Sequence, residues 1–176
     1  TTTADYNVAI GSSALQANST GANNVAIGRA ALDANTTASN NVAMGLNALG
    51  AATTGGLNIA IGSYAGDAIT TGTQNTAMGY NALSANATSH SNTAIGSGAL
   101  SANTAAQNTA VGDEALNKNT SATANVAVGY QALNDTTTGA ENTAVGFQAL
   151  KANTTAQQNT AVGRLALLSN TTGNHN

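Results

Sequence analysis

The sequence predicts an all-β fold, a parallel β-solenoid (β-roll) of about ten 17-residue coils, and three observations carry that prediction. The phrase Asn-[Val/Ile/Thr]-Ala-[Ile/Val/Met]-Gly begins at Asn7, Asn24, Asn41, Asn58, Asn75, Asn92, Asn108, Asn125, Asn142 and Asn159. Its spacing is seventeen residues everywhere except between Asn92 and Asn108, where it is sixteen. Self-similarity on so short a clock marks stacked repeats. The second residue of every phrase is β-branched, which suits a pleated strand, and the chain has no Pro to remove a ladder N–H.

Each position of the unit has a reading. Positions 1 to 5 form a short strand closed by Gly, whose freedom at φ > 0 allows a corner. Positions 8 and 9 are Ala and Leu, with Gly66 the one exception to Leu, and the stretch from 6 to 9 reads as a second short strand or one helical turn. Positions 6 and 7 vary freely and are expected at the surface. Around positions 12 to 14 lies Asn-Thr-Thr or a relative, which is turn chemistry because these side chains bond nearby backbone groups.

Stacked in register at about 4.8 Å per coil, ten coils give a rod roughly 50 Å long, with the position 1 Asn forming an amide ladder along it. Ile69, at position 12 of the unit that carries Gly66, is expected to refill the hole left by the missing Leu. The invariant Ala at positions 3 and 8 is expected to let another chain approach closely. With two or three sizeable apolar side chains per coil against seventeen ordered residues, a lone rod is marginal, and self-association is expected, as a homotrimer.

Residues 1–176 read as a single repeat domain whose units start at Asn7, with Thr1 to Tyr6 fitting the last six positions of a preceding unit. The pattern is cut at both ends and there is no initiator Met, so we expect a segment of a longer fibre. Only 6% of residues are charged and the net charge is -3. Arg29, Lys118, Lys151 and Arg164 are scattered, which excludes the clustered cations that nucleic acid requires. No apolar run approaches the roughly 20 residues of a membrane helix, so direct membrane insertion is not expected. The chain contains no Cys and hence no disulfide framework.

Chemistry needs unlike side chains to converge, which a uniform repeat seldom provides. His90 and His175 are about five coils apart, and Asp113–Glu114 occupy the exposed positions 6 and 7. No catalytic, metal or cofactor site is expected. Two sets of residues stand out as contact candidates. Asn18, Asn35, Asn86, Asn119, Asn153 and Asn170, all at position 12, and Asn134 two positions earlier, begin Asn-x-Ser/Thr triplets, which are candidate N-glycan sites on exposed loops. Tyr80, Tyr130 and Phe147 all fall at position 6, as candidate surface contacts with a glycan or protein partner.

The phrases Asn7 to Gly11 and Asn24 to Gly28 resemble the repeats in the heads of trimeric autotransporter adhesins, the YadA-like β-roll. The form Asn-Thr-Ala-Val-Gly-x-x-Ala-Leu, as in Asn142 to Leu150, is similar to repeats of phage tail fibres and other surface fibres. The resemblance covers all ten units. It implies a left-handed β-roll whose three chains pack side by side, displayed outside a cell or virion to hold or bind something. The units here are longer than the adhesin repeat by an Asn-Thr-Thr-type insertion, and no coiled-coil stalk, neck or anchor is present. The expected function is a non-enzymatic structural fibre, adhesin-like or tail-fibre-like. The alternatives are a self-polymerising filament, glycosylated or bare, and, less favoured, an ice-binding solenoid using the Thr row at position 13, whose neighbours at 14 would point to the opposite face of an extended chain.

Overall fold

A computed structural model describes residues 4–176, so Thr1 to Thr3 lie outside the described residues. The chain is a β-solenoid, with no helix among the described residues. Ten three-residue strands, β1 (Val8–Ile10), β2 (Val25–Ile27), β3 (Val42–Met44), β4 (Ile59–Ile61), β5 (Thr76–Met78), β6 (Thr93–Ile95), β7 (Thr109–Val111), β8 (Val126–Val128), β9 (Thr143–Val145) and β10 (Thr160–Val162), form one parallel sheet in sequence order. Equivalent positions pair at every step, as Ala26 with Ala43 and Ala43 with Ala60. Register survives the short sixteen-residue coil, where Thr93 pairs with Thr109 and Ala94 with Ala110.

What fixes the register is the Asn at position 1. Its Oδ1 accepts the backbone N–H of the Asn one coil later, from Asn24 onto Asn7 at 2.8 Å to Asn176 onto Asn159 at 3.0 Å, without a break at any intervening coil. The same side chain's Nδ2 reaches across its own coil to the carbonyl at position 15, as in Asn24 to Ala38 at 2.9 Å. One buried amide thus ties a coil to its neighbour and also closes the coil on itself. Satisfied at both ends, it carries little of the penalty that burying a polar group otherwise incurs.

The strand alternation decides what is inside. Ala at position 3 points inward and is buried in β2 to β10, while positions 2 and 4 point outward and are half-buried or exposed. The interior is completed by Ala at position 8 and Leu at position 9, from Leu32 to Leu150 at 0% exposure. The expectation that the invariant Ala residues receive another chain is therefore corrected. They let the opposite walls of a single coil approach each other. The aliphatic residues of positions 2 and 4 do not join this spine.

The stretch from 6 to 9 is neither strand nor helix; it is a turn with two left-handed residues. Leu at position 9 has φ between 48° and 54°, position 7 lies between 52° and 64°, and position 17 between 57° and 64°. Such conformations cost of order 1 kcal/mol each for residues with a Cβ. Each turn is held by bonds between coils: the position 9 N–H donates to the next coil's position 8 carbonyl at 2.9 to 3.1 Å, from Leu15 onto Ala31 to Leu150 onto Ala166.

The Gly66 exception is resolved by geometry. A Cβ built on Gly66 would lie 3.0 Å from Ile69 Cδ1 and 3.2 Å from Leu49 Cδ2, so Ile69, 1% exposed, occupies the space a Leu at position 66 would fill. The substitution leaves a trace one coil later. Asn86 Nδ2, whose counterpart in Asn35 donates to the Asn18 Oδ1 of the coil before, has no partner where that coil carries Ile69.

Position 5 admits only Gly for two separable reasons. Its φ runs from 127° to 139°, and a Cβ on Gly112 would lie 2.5 Å from the Gly129 carbonyl oxygen. At Gly163 only the first reason applies, because the nearest atom to its Cβ is Ala166 Cβ at 4.0 Å. Gly112→Ala should therefore cost more than about 4 kcal/mol and Gly163→Ala about 1 to 3 kcal/mol. Chemical denaturation of the two variants measures this, and equal losses would mean that coil stacking is not the constraint.

Candidate interaction surface

The outer face of the sheet runs the length of all ten strands. Positions 2 and 4 of the ten strands supply twenty side chains, all Val, Ile, Met or Thr, with no charge among them. Ile59, Met44, Met78, Ile95 and Val126 stand 36% to 41% exposed although each has a coil on either side. A parallel sheet normally has both faces covered, and here one is covered only by the opposite wall of its own coil.

The three aromatic candidates divide. Tyr130 and Phe147 stack across adjacent coils with centroids 5.3 Å apart and planes 21° apart, and the Arg164 guanidinium sits 5.5 Å from the Phe147 centroid. Phe147 thus has both faces occupied within the chain and presents its edge. Tyr80 is not part of this stack; it meets Tyr64 edge-on at 6.3 Å. Beside the stack runs a polar ladder in which Gln131 Nε2 donates to Glu114 Oε2 at 2.6 Å and Gln148 Nε2 to Gln131 Oε1 at 2.9 Å.

The glycan candidates are corrected. Asn35, Asn86, Asn119 and Asn153 are 0% exposed and Asn134 is 5% exposed. In Asn35 the Oδ1 accepts the Ala38 N–H at 3.1 Å and the Nδ2 donates to the Ala38 carbonyl at 3.1 Å, and Asn119 makes the same pair with Ala122. Asn134 Nδ2 donates to the Glu114 carbonyl at 2.9 Å. A sugar on any of these nitrogens would have no room inside the coil, and on all but Asn86, whose Nδ2 is unbonded, it would also remove a bonded donor. Asn18 and Asn170 are half-buried and make the same turn, with Nδ2 bonded to Gly21 and Gly173. Asn-x-Thr here is a turn-closing device.

The Thr row at position 13 is spent on the fold as well. From Thr36 to Thr154 each Thr hydroxyl in the row donates to the position 13 carbonyl of the next coil, as Thr36 to Thr53 at 3.1 Å and Thr120 to Thr137 at 3.0 Å. The chain bends here and does not run extended, so position 14 also lies at the surface, contrary to the expectation that it would point to the opposite face.

His90 is exposed, with Nδ1 3.2 Å from Ser91 Oγ, and His175 is exposed in the last coil. Asp113 and Glu114 are adjacent at the surface without a basic partner within ion-pairing distance, the one ion pair among the described residues being Lys118–Asp135 at 2.7 Å. Among the described residues there is no cavity and no group of three His, Cys, Asp or Glu side chains able to hold a metal. Among the described residues no helix is long and apolar enough to cross a membrane. Comparison with protein-family models, curated proteins and solved structures finds no match to the chain.

One carboxylate that sequence reasoning passed over is perturbed. Asp67, at position 10 beside Gly66, has an Oδ1 that is buried and unbonded. Burial pushes its carboxyl above the ordinary value of 3.8, opposed in part by its own N–H and that of Ala68. At the same position Asn117 and Asn134 donate Nδ2 to a position 7 carbonyl of the preceding coil, both at 2.9 Å, which an ionised carboxylate cannot do. A raised folded-state value means the proton is held more tightly in the fold. The stability this confers is full below pH 3.8 and is lost as the pH rises through the folded-state value. Asp67→Asn should accordingly stabilise the protein at pH 7 and leave its stability unchanged at pH 3. Melting curves of both proteins across that range test it, and a pH-independent difference would assign the effect to something other than this proton.

Proposed function

We propose that this chain is a structural module of an extracellular fibre, carried at a cell or virion surface, in which copies lie side by side with the outer faces of their sheets turned toward one another. The single observation that carries the reading is the outer face itself: ten strands long, uncharged, half-exposed, and left uncovered by the chain that makes it. The buried spine is too thin to reward such a face with a place inside, since it accommodates Ala and one Leu per coil. A homotrimer, the number implied by the resemblance to adhesin and tail-fibre repeats, closes three such faces around one axis. Tyr80, Tyr130 and Phe147 lie outside the face and stay exposed in such a bundle, available to a cell-surface glycan or protein receptor. The rod then serves as a stiff spacer, and whatever it binds is met by the variable positions 6, 7, 10 and 16.

Sedimentation equilibrium tests the reading. The wild-type chain should sediment at three times 17.1 kDa, and Val42→Lys combined with Ile95→Lys should sediment at 17.1 kDa with an unchanged circular dichroism spectrum. A wild-type protein that is monomeric at high micromolar concentration, or a charged variant that still associates, would contradict it.

A further inference from the structure

In the four coils of β7 to β10, position 6 reads Asp113, Tyr130, Phe147, Arg164. An anion, two rings and a cation thus stand on one line along the rod, at steps of about 4.8 Å. All four are exposed, at the corner that follows the position 5 Gly, beside the outer face of the sheet and not on it. Glu114, with one oxygen taken by Gln131, adds its charge to the anionic end. Neither Asp113 nor Arg164 belongs to the one ion pair among the described residues, Lys118–Asp135. Tyr130 covers one face of Phe147 and the Arg164 guanidinium the other, so Phe147 offers no open face to a stacking ligand.

This line is its own complement when reversed. If a second copy is turned end for end about an axis midway between Tyr130 and Phe147, Asp113 of each copy meets Arg164 of the other, and Tyr130 of each meets Phe147. A two-fold contact requires that kind of self-complementarity. We propose that the position 6 strip of β7 to β10 joins two copies of this chain that run in opposite directions and belong to different bundles. The contact goes beyond the side-by-side arrangement above, uses a different surface, and does not depend on how many chains the outer faces bring together. Parallel copies meeting through this strip would oppose Asp113 to Asp113 and Arg164 to Arg164, which is repulsive. A second antiparallel register also brings Asp113 to a cation, Arg29, but it sets Tyr130 against Ser12 and Tyr80 against Ser63, so no ring meets a ring. Four side chains fall far below the roughly 800 Å² per partner of a stable interface, so single rods hold each other weakly. Bundles that present several strips at once hold more firmly. The strip therefore links fibres laterally.

Charge exchange in the full chain tests this with residues the columns already hold, since position 6 carries both Asp and Arg and position 7 carries Gln at Gln131 and Gln148. Arg164→Asp makes both ends of the strip anionic. Asp113→Arg combined with Glu114→Gln makes both ends cationic. In sedimentation velocity at low salt, over a concentration series into the high micromolar range, the wild-type protein should show a species of at least twice the mass of its basal particle. Raising the salt should dissolve that species. Each charge variant alone should lower its population about tenfold while keeping the basal particle, and an equimolar mixture of the two should restore it, because their ends are again complementary. Arg29→Asp should leave it unchanged. Absence of the heavier species from the wild type, its persistence in either charge variant alone, or no recovery in the mixture would overturn the inference. Loss in Arg29→Asp with retention in Arg164→Asp would move the contact to the other register and overturn it too. A basal particle of a single chain would contradict the side-by-side reading above and leave this comparison as decisive as before.

Discussion

The fold depends on a buried amide that reaches one coil forward. Because Asn Oδ1 at position 1 accepts the next coil's backbone N–H at every step, each coil presents its successor with a single correctly placed acceptor. A slip by one residue would put a strand's outward side chains inside and leave both the Oδ1 and the N–H buried without partners. This explains why the phrase begins with Asn in every unit while the residues two coil-corners away vary. It also explains how the sixteen-residue coil is tolerated: the missing residue is absorbed in the turn after Asn103, whose Oδ1 closes onto Ala105 two residues on where others close three residues on, and the Asn92 to Asn108 bond is kept.

The remainder of the structure accommodates that constraint at small scale. Walls made of Ala and Leu bring opposite sides of a coil close enough for the Asn side chain to span them, and the spanning requires sharp corners. Three residues per coil, all with a Cβ except Gly66 and Gly98, accept left-handed conformations to make these corners, Leu at position 9 among them. Bonds from each corner to its neighbouring coils over-determine a geometry that an isolated turn would not hold. The result is a rod whose stability is a sum of nearly identical interfaces between coils.

Much of this was legible in the sequence, because repetition converts a weak local signal into a strong one. Strand position, parallel register, the Asn ladder and the Ile69 compensation all followed from aligned columns. The errors came from reading invariance without direction. Invariant Ala was read as a meeting place for chains because small residues permit close approach, but the strand alternation turns it inward. Asn-x-Thr was read as an exposed glycan acceptor, but the turn folds the amide into the coil, as at Asn35. The left-handed corners did leave a trace that went unread: across positions 7, 9 and 17 there is no Val, Ile or Thr in a chain otherwise crowded with them, and β-branched residues are the ones that φ > 0 excludes. Asp67 left no comparable trace, since position 10 carries Gln, Asp, Gly, Ser, Asn, Lys or Leu in the other units and nothing in that column marks a buried carboxylate.

The proposed role follows from the same geometry, since a solenoid that spends its polar side chains on its own ladders has an uncharged strand face left over. The central claim, that the position 1 amides lock coil to coil throughout, is tested most directly by native-state hydrogen exchange at the backbone N–H of those Asn residues. The account predicts that Asn41, Asn75, Asn108 and Asn142 exchange as slowly as the strand residues that follow them, all by the same global opening. Exchange of these four at rates near those of an unfolded peptide, with protection confined to the three-residue strands, would contradict it.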